Sequence, residues 1–103
     1  MNLKISARAL SFCAHFMAKQ DIRYYLNGVC GTPMPADIGG VLVAATDGHT
    51  MGMWHDAKGE ADRQVIMRVS PGLLSAAAKG GVVRTVGERL AVVHLNTKTE
   101  IED

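Results

Sequence analysis

Five consecutive apolar residues, Val41 to Ala45, constrain this chain more than any other stretch. The run is too short for a core helix and reads as a strand covered on both faces. It stops at Asp47-Gly48, a strong hairpin turn pair, and Thr50 to His55 reads as the returning strand. Connections this short leave no room for the crossover that parallel strands need, so a doubly wound parallel sheet is excluded.

The rest of the chain can be placed around that hairpin. Leu3 to Ile5 reads as a short strand, and Ser6 as the cap of a helix. Within that helix Leu10, Cys13 and Met17 form one stripe, widened by Phe12 and Phe16, and Arg8, Ser11, His15 and Lys19 form the opposite face. Asp21 and Ile22 lead out into a strand over Arg23 to Val29. The segment from Cys30 to Gly40 holds Gly31, Pro33, Pro35, Gly39 and Gly40 and reads as a loop.

Beyond the hairpin, Asp56 to Arg63 is charged and reads as solvated, and Gln64 to Val69 is a further strand. Ser70 at the N-cap and Pro71 at the first helical position start a second helix. Its inner face is Leu73, Leu74, Ala77 and Ala78, and Gly80-Gly81 stop it. Strands then follow at Val82 to Val86, Arg89 to Leu95 and Thr97 to Glu102. The order is β-α-β-β-β twice, with halves of about 1–56 and 64–103. That predicts an α+β fold, one domain over 1–103, with two helices on one face of antiparallel sheets. The strand count excludes a helical bundle.

Charge and cysteines narrow the partners. A net charge of +1 leaves no overall basicity, so contact with nucleic acid must come from a local patch. Cys13 and Cys30 lack a CxxC spacing, and Cys13 falls in an apolar stripe, where a buried free thiol is the expectation. The beginning Met1-Asn2-Leu3-Lys4 does not read as a signal peptide, and no apolar run approaches the ~20 residues of a membrane span. A cytoplasmic protein without membrane contact is the default expectation.

Two motifs carry a resemblance. The run from Met17 to Gly28, Met-Ala-Lys-Gln-Asp-Ile-Arg-Tyr-Tyr-Leu-Asn-Gly, followed by Ala45-Thr46-Asp47-Gly48-His49, resembles the middle domain of the bacterial DNA polymerase III sliding clamp (beta subunit) family. The doubled β-α-β-β-β order is what such a DNA-clamp-like domain would have, and the resemblance covers nearly the whole chain. In that family rings of clamp domains surround duplex DNA, and partner proteins insert a short apolar peptide into a cleft. The resemblance implies a processivity role in DNA replication and double-stranded DNA as ligand. It further implies DNA polymerase or other clamp-binding peptides as partners, and a homo-oligomer. Where the family has an arginine and a leucine after the histidine, this chain has Thr50 and Met51.

Carried over by position, Gln20, Arg23, Tyr24 and Tyr25 fall at the DNA-proximal corner. Leu26, Thr46, Gly48, His49 and Met51 fall on the wall of the peptide cleft. The residues support a DNA role in their own right, since Arg8 and Lys19 share a helix face and Lys79 ends the second helix. Such cations suit loose phosphate contact rather than base reading. Tyr24 and Tyr25 point to opposite sides of a strand, so at most one packs inward and an exposed one could stack on a base. The plainer reading of Gln20 to Tyr25 is a helix exit with core tyrosines, and that of Leu26, Thr46 and Met51 an ordinary core edge.

No catalytic constellation is legible. Asp47, His49, His55 and Asp56 lack metal-ligand spacing, and His15 and His94 have no evident partner. Ser11, Ser70 and Ser75 lie in helices or at a cap without a nucleophile elbow, and the glycine-rich stretches lack a phosphate loop's lysine. The sequence therefore predicts a non-enzymatic, clamp-like protein without cofactor or metal. The alternatives are a protein-interaction module or an inactive clamp remnant of phage origin, with no DNA role.

Overall fold

The computed structural model of the chain describes residues 3–18, 28–86, 89–93 and 98–100. Its elements are β1 (Leu3–Ser6), α1 (Ala7–Ala14), β2 (Gly28–Pro33), β3 (Val41–Thr46), β4 (Met51–Asp56), β5 (Glu60–Ala61), β6 (Val65–Arg68), α2 (Pro71–Ala77), β7 (Val82–Val86), β8 (Arg89–Val93) and β9 (Lys98–Glu100). They form an α+β fold with two antiparallel sheets, ordered β5-β1-β7-β8-β9 and β4-β3-β2-β6. The first strand of the chain therefore lies against β7, and β6 lies against β2.

Alternation decides what each strand buries. In β3, Val41, Val43 and Ala45 are buried, and Leu42 and Ala44 are only half-buried. The all-apolar run is thus covered fully on one face, not on two as its composition suggests. Leu10 and Cys13 from α1 join Ile5, Val29, Leu73 and Val83 in one continuous core. The Cys13 thiol donates to the Val43 carbonyl at 3.4 Å, pinning the helix to β3. Burial pushes that thiol up from 9.0 to about 11, so it stays protonated and unreactive at neutral pH. Both cysteines are free, with Cys30 half-buried.

Helix α1 is shorter than its stripe. It ends at Ala14, where Phe16 N–H donates to the Cys13 carbonyl at 2.9 Å and tightens the last turn. Met17 lies beyond the helix, and Phe16 swings over Gly52 of β4, where even a Cβ would run into its ring. Phe12 spans the gap, 5.4 Å from the Phe16 ring and 5.3 Å from Trp54 in an edge-to-face contact. Ser11, expected on the polar face, is instead half-buried, with its Oγ shut away from solvent and without a partner among the described residues.

Two further expectations are corrected. The glycine- and proline-rich segment beginning at Cys30 is strand as far as Pro33, paired on one side with β3 and up to Gly31 with β6 on the other. Gly31 is there for closeness rather than turning, since a Cβ would stand 3.2 Å from Leu3 Cδ1. Asp56 is not solvated but 9% exposed, and Glu60–Ala61 pairs with β1. The second helix follows its start and stop signals, but its buried face is Leu73, Ala76 and Ala77, with Leu74 half-buried and Ala78 exposed. Ser70 Oγ accepts from Leu73 N–H at 3.1 Å, and Gly80 and Gly81, with φ of 88° and 100°, end it. Strand β7 has the expected bounds, and β8 and β9 fall within the runs assigned to them.

Gly52→Ala should destabilise the fold by about 1–3 kcal/mol through overpacking against Phe16. In a Phe16→Leu background the same substitution should cost less, a coupling read by urea unfolding of the four variants.

Candidate functional site

Two groups of expected residues can be followed, and they lie at opposite ends of β4. At one end the chain makes a junction. Ser6 caps α1 by accepting from Arg8 N–H at 3.2 Å, and its own N–H donates to Asp56 Oδ2 at 2.6 Å. The other carboxylate oxygen accepts from Lys58 N–H at 3.2 Å. Ala7 N–H donates to the Gly81 carbonyl at 3.0 Å, so the start of α1 is tied to the chain leaving α2.

This junction brings Arg8 beside the end of α2, where Lys79 stands exposed, and adds Lys58 from the turn after β4. All three side chains reach solvent. Arg8, Lys58, Trp54 and Gly80–Gly81 border one shallow depression. Lys58 and Trp54 were not singled out in the sequence, because a lysine in a charged stretch and an aromatic in a strand look like solvated turn and core.

The other end is the hairpin. Thr46 Oγ1 donates to the Thr50 carbonyl at 2.6 Å and accepts from Gly48 N–H at 3.0 Å. Asp47 Oδ1 accepts from the N–H groups of His49 and Thr50, both at 2.9 Å. Those two backbone donors hold the exposed Asp47 carboxyl below its ordinary value. Gly48 is held at φ 94°, a conformation glycine adopts without strain. Thr46, Gly48, His49 and Met51 therefore share one corner. Met51 is 60% exposed, directly across from Thr46, so it is not a core edge.

Registers extend that corner into a surface. Met53, Ala44, Cys30 and Ile66 lie opposite one another across four strands, on the face turned away from α1. Met53 is 55% and Ile66 48% exposed. The alternation Met51-x-Met53-x-His55 against inward Gly52, Trp54 and Asp56 was the available signal for it. From Met51 to Asp56 is about 17 Å of strand, so the cationic junction and the apolar corner are separate surfaces.

Lys19, Gln20, Arg23, Tyr24, Tyr25 and Leu26 lie outside the described residues, and so does His94. Among the described residues no three His, Cys, Asp or Glu side chains gather as metal ligands would. Three of the four candidates are engaged elsewhere. Asp47 serves its own turn, His55 Nε2 reaches the Gly39 carbonyl at 2.9 Å, and Asp56 is engaged by backbone donors. No described helix is long and apolar enough to cross a membrane. Compared with protein-family models, curated proteins and solved structures, the chain matches none.

The Asp47 carboxyl should titrate below the ~3.9 of an unperturbed aspartate, read from its carboxyl carbon by NMR. Because the folded value is the lower one, its contribution is fully present above pH ~4 and fades as the pH falls through the folded value. Asp47→Ala should remove that pH dependence and broaden the amide resonances of Gly48 to Thr50.

Proposed function

We propose that this chain is a clamp-like, non-enzymatic domain that associates with duplex DNA through the cationic junction of its two helices. The observation that carries the reading is a reciprocal strand exchange. The chain repeats the order β-α-β-β-β, apart from the short β5, and each half lends its first strand to the other half's sheet, β1 to β7 and β6 to β2. A duplicated clamp unit would be built this way, with equivalent helices side by side. Packing between α1 and α2, the meeting of Arg8 and Lys58 in one depression, and an exposed Lys79 next to its Gly80 wall support the DNA role. Exposed cations drawn from separate elements suit phosphate contact that slides rather than specifies. Replication, oligomer formation and the partners of a sliding clamp belong to the same proposal.

A second reading rests on the outward apolar row. An exposed Met51, Met53 and Ile66 on one sheet face are what a protein-interaction module would carry, since methionines accommodate varied apolar partners. In that case the chain binds partner peptides and has no DNA role. An inactive clamp remnant would bind neither.

The first reading is tested by DNA binding against salt and by light scattering after size exclusion. Duplexes of unrelated sequence should bind alike, and Arg8→Glu or Lys79→Glu should each take about one unit from the log–log salt slope. A strict monomer without DNA affinity at low salt would sink the reading. The second is tested with a fluorescent clamp-binding peptide, whose binding Met51→Asp should abolish; absence of binding by the unsubstituted chain removes it.

A further inference from the structure

The depression at the joined helix ends has a chemistry of its own. It measures about 510 Å³, room for an ester group as well as a phosphate. Arg8 borders it from the start of α1 and Lys58 from the turn after β4, so the two positive charges come from different elements. The acid beside them, Asp56, is buried, and both its oxygens are occupied by the N–H groups of Ser6 and Lys58. Asp56 itself borders the depression, but its oxygens are turned to those backbone donors, and the two exposed cations outnumber its one charge. Gly80 and Gly81 keep one wall free of side chains, and a Cβ placed on Gly80 would meet nothing within 4 Å. A ligand can therefore approach the backbone there.

We infer that this depression is a binding site for a phosphoryl group, held between the Arg8 guanidinium and the Lys58 ammonium with Trp54 at its border. A guanidinium offers two parallel N–H donors to phosphate oxygens, and the ammonium adds a point charge. The phosphoryl group could come from a free phosphate ester or from a nucleic-acid strand, since both present the same oxygens. The inference does not rest on the clamp reading: a monomer that ignores duplex DNA could still hold a phosphate here.

Trp54 is the sole tryptophan of the chain, so its fluorescence reports on this place. The 103-residue chain is titrated with inorganic phosphate, a 5′-mononucleotide and a single-stranded oligonucleotide at constant ionic strength, with calorimetry in parallel. Saturable binding of inorganic phosphate or the mononucleotide in the millimolar range is expected, weakened at least tenfold in Arg8→Gln/Lys58→Gln. Thermal melting of that variant should be unchanged, because both side chains are exposed. If the double variant melts early, each single substitution should still weaken binding at least threefold. Binding of the oligonucleotide alone, lost in the same variants, also supports the site and assigns its source to nucleic acid. Affinity unchanged in the variants, or no saturable heat from any of the three ligands, overturns the site.

Discussion

Each sheet of this protein is completed by a strand from the other half of the chain. β1 stands between β5 and β7, with Leu3 N–H reaching Thr85 Oγ1 at 3.4 Å across 82 positions of sequence, and β6 closes the edge of β2. Such contacts are rewarded only after a long loop has been closed, and neither sheet is complete within one half. The buried faces of β1 and β3 and the inner side of α1 then meet in one cluster. Folding should be cooperative across the whole chain for that reason.

Asp56 secures the crossing. Among the described residues it is the buried charged group, and its carboxylate accepts from Ser6 N–H at the start of α1 and Lys58 N–H in the following turn. A charge so buried is tolerable only because donors meet both oxygens. The bond to Ser6 fixes where α1 begins relative to β4, which in turn fixes Arg8 and the depression it borders. Local capping and the cationic surface are thus consequences of one contact.

At the far end of β4 a different economy holds. Asp47 and Thr46 satisfy the hairpin backbone themselves, which frees Met51 and Met53 to stand outward without cost in hydrogen bonding. The sheet face beyond them is covered by no other described element. One strand therefore connects a polar junction to an apolar corner, and the proposed DNA role and the alternative partner role draw on its two ends.

The residues alone determined much of the fold. Both capping serines, the proline at the start of α2, the double-glycine stop and the Asp-Gly hairpin are short-range signals, governed by backbone geometry a few residues wide. These made the two helices, their order among the strands and the α+β class legible. Only the tertiary structure decided which strands pair, that Gly31 lies inside a strand, that α1 stops at Ala14 and that Asp56 is buried. Each of these depends on a neighbour far away in sequence: Leu3 against Gly31, Gly52 beneath Phe16, Ser6 beside Asp56. For the same reason Arg8 could be named from the sequence, but not its meeting with Lys58 and Trp54. Periodicity tells which face of an element is apolar; it does not tell which other element will cover that face, or leave it open.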